Sequence, residues 1–129
     1  MKPTICVDFD GTLCDHAYPE IGPVKAGTRE ALIAFKRMGY HILIYTCRTS
    51  SYHFEVFGGT PGDNALERPR VQAMIAWLNE HDIPYDEVDD GTKGKPLADF
   101  YIDDKGVRFD DNWKEITYWI AQVTPALSR

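Results

Sequence analysis

Three short apolar runs, at residues 4–9, 41–46 and 98–102, each break off on a polar or acidic side chain, and this recurrence constrains the fold more than any other feature of the chain. Each run is too short for a helix, is rich in β-favouring residues and is bounded by proline, glycine or charge, so each reads as a buried strand. Between the first two, Ala31, Leu32, Phe35 and Met38 recur at helical spacing, with Thr28 as the expected cap and Gly39 placed to end the helix. Pro69 suits the first turn of a second helix, in which Val71, Met74, Ile75 and Leu78 make one stripe that ends near His81. Residues 85–88 read as a weak edge strand and 107–109 as a further short one. Residues 113–123, with Ile116, Ile120 and Val123 on one side, read as a closing helix. Residues 14–26 are expected to form irregular structure or a small hairpin, and the Gly-rich, aperiodic residues 49–69 a long surface loop.

Strands alternating with helices imply a mainly parallel sheet with right-handed crossovers, that is, a Rossmann-like three-layer α/β/α sandwich with helices on both faces. One domain accounts for all 129 residues, and at 43% apolar and 26% charged the chain needs neither disulfides nor a structural metal to hold a core. The net charge of −6 and the lack of a basic run argue against a protein that grips a long nucleic-acid backbone. Cys6, Cys14 and Cys47 are odd in number and show no C-x-x-C spacing, so free thiols in a reducing cytoplasm are expected. The first apolar run meets Asp8 long before it could serve as a signal peptide or a membrane span.

In parallel sheets ligands bind beyond the carboxyl ends of the strands. The residues just past the three strong runs are Asp8 and Asp10, then Thr46, then Asp103 and Asp104, all polar. Three or four converging carboxylates repel one another unless a cation sits among them, and an all-oxygen donor set suits Mg²⁺. A carboxylate beside Mg²⁺ can attack a phosphoryl group, which splits one hard hydrolysis into two easier steps. Asp8, anchored on its strand, suits the nucleophile. Asp10, further into the turn, suits the group that protonates the leaving oxygen and then activates water. Thr46 and a lysine from the Lys93/Lys95 pair can supply the hydroxyl and ammonium that the equatorial phosphoryl oxygens need. Gly11 and Thr12 in the first turn, and Cys47 and Arg48 after the second run, are the candidate substrate-binding residues. For Arg48 the alternative is a surface salt bridge, and for Cys47 an inert thiol.

These motifs resemble those of the haloacid dehalogenase (HAD) superfamily of phosphohydrolases. The first is Asp8-Phe9-Asp10-Gly11-Thr12-Leu13, the second Thr46 after Ile42-Leu43-Ile44-Tyr45, the third Lys95 in Gly94-Lys95-Pro96, and the fourth Asp103-Asp104 after Tyr101-Ile102. The resemblance implies an aspartyl-phosphate intermediate and Mg²⁺ held by Asp8, the main-chain carbonyl of Asp10, and Asp103, with Asp104 beside them. Neither gap between motifs is long enough for a cap domain, so a capless member is implied, its site open unless the 49–69 loop or another subunit of a homo-oligomer covers it. Tyr52, His53, Phe54 and Phe57 would line such a lid or pin the loop. The expected substrate is a small phosphomonoester, a sugar or nucleotide phosphate. Two other classes stay open: a receiver-like phosphoacceptor module, against which the late position of the paired acids argues, and a catalytically silent binding protein on the same fold. Trp113, Tyr118 and Trp119 read as helix packing, the four histidines as scattered surface or packing residues, and the acids at 86–90 as a solvated edge.

Overall fold

Four strands, all parallel, form the centre of the computed structural model, which describes residues 2–50 and 63–127. They are β1 (Thr4–Val7), β2 (His41–Ile44), β3 (Glu87–Val88) and β4 (Phe100–Ile102), in the spatial order β3-β2-β1-β4. The protein is therefore an α/β domain of Rossmann-like type. The helices are α1 (Thr28–Arg37), α2 (Pro69–Glu80) and α3 (Trp113–Leu127), with short 3₁₀ turns at Cys47–Thr49 and Ala65–Glu67.

Alternation along the strands divides the sheet into two faces. Ile5, Val7, Ile42 and Ile44 point to one, where they join Leu32 of α1 and Val71, Met74 and Leu78 of α2 in a single buried cluster. Cys6 and Leu43 are buried on the other. Both β1→β2 and β2→β3 crossovers run in one direction along the sheet, so right-handedness puts α1 and α2 on the same face. From β3 the chain returns past β2 and β1 to add β4, and the order of strands reverses beside β1. That switch point is where a crevice opens at the carboxyl ends.

Local chemistry explains most boundaries and several departures from the sequence reading. Gly27, in the left-handed region at φ 87°, precedes α1 in place of the expected Thr28 cap; Thr28 is buried and donates its hydroxyl to the Leu13 carbonyl at 3.0 Å. Gly39, at φ 95°, ends the helix as expected. Cys14 bridges to Val24 in an antiparallel sense, which gives residues 14–26 a hairpin-like closure. Residues 107–109 are not a strand. Their apolar side chains extend along an exposed surface, where Phe109 meets Trp113 at 4.9 Å between ring centroids. The packing expected of Trp113, Tyr118 and Trp119 is also corrected: all three are exposed, Trp113 at 69%, and Ile116 is the one described residue of α3 that is fully buried. Residues 51–62 and the lid aromatics at 52, 53, 54 and 57 lie outside the described residues. Among the described residues no helix is long and apolar enough to cross a membrane.

Candidate active site

The register of the sheet places the site. Val7 pairs with Ile44 on one side and Ile102 on the other, so Asp8, Tyr45 and Asp103 stand side by side one step past the paired residues. Asp8, Asp10, Thr46, Asp103 and Asp104 all line one cavity of about 590 Å³ at this carboxyl edge, together with Cys47, His16, Tyr18, Asp89 and Lys105.

Asp8 lines this cavity as a partly buried side chain. Burial pushes its carboxyl up to about 6, and the nearby Asp104 and Asp10 push the same way against a backbone hydrogen bond from Phe9. Asp104 lies close enough to the Asp8 carboxyl to disfavour its charge, and Thr12 Oγ1 donates to Asp8 Oδ2 at 3.4 Å. Asp104 moves the opposite way: burial raises its carboxyl, but Lys105, with Nζ 3.2 Å from Oδ2, and the remaining hydrogen bonds hold it below the ordinary value. Asp103 turns one oxygen to the backbone N–H groups of Lys105 (2.8 Å) and Gly106, which closes its own turn. Gly11, at φ 84°, packs against Asp104 so tightly that a β-carbon would fall 2.9 Å from the Asp104 carboxyl carbon. Its N–H is spent on the Cys14 carbonyl and that of Thr12 on Phe9. Gly11 and Thr12, expected among the substrate-binding residues, thus have their N–H groups engaged within the turn, and Gly11 packs against the protein's own Asp104.

Arg48 departs furthest from expectation. It is 1% exposed, with Nε 2.9 Å and Nη2 2.8 Å from the two oxygens of Asp10, and its remaining donors reach the backbone carbonyls of Glu20 and Arg70 at 3.1 and 3.3 Å. The guanidinium also lies 5.4 Å from the Phe9 ring and 5.2 Å from the Tyr18 ring. It is neither a surface salt bridge nor turned toward a substrate anion; it clamps Asp10. Thr46 is buried beside it, accepts the Arg48 N–H at 3.2 Å as cap of the 3₁₀ turn, and keeps its hydroxyl proton to donate. Arg68 locks the same turn by donating to the carbonyls of Arg48 and Ser50, each at 3.0 Å. Cys47 lines the cavity as a thiol whose ionisation burial, Asp10 and Asp8 all disfavour.

Lys95 is not in this cavity. Its ammonium lies 4.4 Å over the Tyr101 ring, in an adjoining cavity of about 620 Å³ that shares Asp8, Tyr45 and Asp103 as a wall. Lys93 lines neither cavity. The lysine in the first cavity is Lys105, which the sequence reading passes over although it directly follows the acidic pair. Asp89 is the other addition. Read as part of a solvated edge, it is 8% exposed and lines the cavity. The rule that ligands gather past strand ends finds Asp89 once β3 is counted as a strand like the others.

No three His, Cys, Asp or Glu side chains among the described residues stand as a ready-made metal cage. Asp8 and Asp104 are near enough for each to shift the other's carboxyl. Two carboxylates fit Mg²⁺, which keeps several waters and completes its shell with substrate phosphate rather than with an all-protein cage.

The chain matches no family profile and no curated protein. Among solved structures it is similar to a conserved protein from Bacteroides thetaiotaomicron, at 24% identity and TM-score 0.61, over 95% of this chain and 92% of that one. It is also similar to a protein from Vibrio cholerae, at 27% identity and TM-score 0.52, over 93% and 98% of the two chains. Neither is described with an activity, so what the likeness establishes is the Rossmann-like α/β fold.

Proposed function

We propose that the protein is a cytoplasmic, Mg²⁺-dependent phosphatase of HAD type that hydrolyses a small phosphomonoester through an aspartyl phosphate. What supports this above all is the convergence of Asp8, Asp10, Thr46 and the Asp103-Asp104 pair, from three separate stretches of chain, in one cavity at the switch point of the sheet.

In the first step an oxygen of Asp8 bonds to phosphorus as the ester P–O bond breaks, and the leaving alkoxide takes a proton from Asp10. In the second, a water gives its proton to Asp10 and attacks phosphorus, which breaks the bond to Asp8 and releases phosphate. The Arg48 clamp fixes where Asp10 points, and each Asp10 oxygen retains a lone pair, so the paired carboxylate can accept the proton of a phosphomonoester monoanion, pass it to the leaving alkoxide and take the next one from the attacking water. The Thr46 hydroxyl and the ammonium groups of Lys105 and Lys95, on either side of Asp8, are the donors available to the phosphoryl oxygens. Mg²⁺, held by Asp8, the main-chain carbonyl of Asp10 and Asp103 as the resemblance implies, with Asp104 as a further carboxylate beside Asp8, would neutralise the charge that builds where two anions meet.

The test is phosphate release from a panel of phosphomonoesters with and without Mg²⁺. The wild type turns over at least one, and Asp8→Asn lowers that rate by a factor of about 10³ or more. A wild type as inactive as Asp8→Asn across the panel would sink the reading and favour a binding protein.

A further inference from the structure

Asp89 has a position that the proposed chemistry does not use. Ile44 pairs with Val88 as it does with Val7, so the row past the strand ends runs Asp103, Asp8, Tyr45, Asp89 along one face of the sheet. Backbone bonds of 2.9 Å continue the row, from Asp8 N to the Ile102 carbonyl, from Tyr45 N to Val7 and from Asp89 N to Ile44. At about 4.8 Å between strands, Asp89 stands about 10 Å from Asp8, with Tyr45 between them.

The side chain is held in place. One carboxylate oxygen accepts the Gly91 N–H at 3.0 Å, and Gly91, at φ 79°, is pressed against the Thr49 carbonyl, so the turn that carries Asp89 is wedged against the floor of the cavity. Among the described residues no lysine or arginine pairs with Asp89. Among the described residues the Gly91 N–H is the one donor that meets this carboxylate, so a nine-tenths buried group that lines the cavity keeps lone pairs to accept from a ligand. Tyr45, partly exposed between the two acids, offers a ring on which a short carbon chain can lie.

We propose that Asp89 selects the substrate, accepting a hydrogen bond from an ammonium or hydroxyl on the alcohol part of the phosphomonoester, about three to six bonds from phosphorus. This rests on the phosphatase reading. It also sets a negative choice: a substrate with a second phosphate at that distance is repelled.

The test compares propyl, 3-hydroxypropyl and 3-aminopropyl phosphate on the wild type, Asp89→Asn and Asp89→Ala, with melting curves for all three proteins. Asn keeps an oxygen for the Gly91 N–H, so that variant retains the turn. The wild type is expected to favour one donor-bearing ester over propyl phosphate by about tenfold to a hundredfold in kcat/KM. Asp89→Asn abolishes an ammonium preference, since the amide carries no charge, and Asp89→Ala abolishes either preference. Equal turnover of the three esters by the wild type, or a preference that survives in both folded variants, overturns the assignment and leaves the phosphatase reading standing. Failure of the wild type on all three esters while it turns over others on the wider panel likewise overturns the assignment, and failure on both removes the phosphatase reading as well.

Discussion

Asp8 and Arg48 carry the residue-scale physics of this site. Asp8 has a folded-state carboxyl near 6, above the ordinary unfolded value of about 3.9, because burial and the neighbouring Asp104 and Asp10 disfavour its charge. A raised carboxyl contributes stability that is fully present below about pH 4 and lost as pH rises through about 6. In metal-free protein Asp8→Asn is therefore expected to melt higher than wild type above pH 6, by about 1 kcal/mol after discounting for the open side of the cavity, with the gap closing toward pH 4. Thermal melts across that range, in chelator, check it; a constant gap would mean that Asp8 carries no such penalty. Arg48 works in the opposite sense, as the partner that makes a buried Asp10 tolerable. Arg48→Met is expected to cost about 3–5 kcal/mol in urea unfolding, because it strands a buried carboxylate, and Arg48→Lys less, because an ammonium lacks the two-pronged geometry. Equal losses for Met and Lys would say that shape rather than charge holds the turn. In the sequence Arg48 is one basic residue after a strand, with nothing in its neighbours to reveal that Asp10, 38 positions earlier, would consume it.

At the scale of elements, strand ends and turns decide where the chemistry goes. β1 and β2 were legible because consecutive apolar side chains must be buried on both faces of a parallel sheet. β3, only Glu87–Val88, has no such run, and the role of the acid that follows it was hidden for that reason. The approach to β3 is tied down by Asp86, which accepts the Ile42 N–H at 2.7 Å and meets Lys36 of α1 at 2.8 Å. Burial raises the Asp86 carboxyl, but those hydrogen bonds and the Lys36 charge prevail and leave it lowered. A lowered carboxyl contributes stability present above about pH 4 and lost as pH falls through its folded value. Asp86→Asn, which keeps an oxygen for Ile42, is expected to cost about 1 kcal/mol at pH 7 and nothing once both proteins are below that value. Denaturant titrations at pH 7 and in acid check the difference; a cost that persists in acid would assign the effect to packing.

Across the whole molecule, α1 and α2 share one face of the sheet and build the core, while β4 and α3 leave a run of aromatic side chains in solvent. The chain has three tryptophans. Trp77 packs edge-on against Phe9 at 5.2 Å, whereas Trp113 and Trp119 are exposed, so acrylamide is expected to reach two of the three. A Stern–Volmer plot that finds only one accessible, or none, would mean that this face is covered in solution, as a second copy of the chain would cover it. The closing helix shows where periodicity misleads: the stripe Ile116, Ile120, Val123 was readable, but a stripe does not say what lies opposite, and Ile120 remains exposed. By itself the sequence determined the alternation of strands and helices, the parallel sheet and the gathering of Asp8, Asp10, Thr46 and Asp103-Asp104 past the strand ends. Each of these follows from the local period of apolar residues and from topology, which are written along the chain. Only the tertiary structure decided that Arg48 grips Asp10, that Lys105 rather than Lys95 enters the cavity, and that Asp89 lies in its wall. Those depend on where side chains meet across strands separated by tens of residues, and a linear pattern of residues carries no such distances.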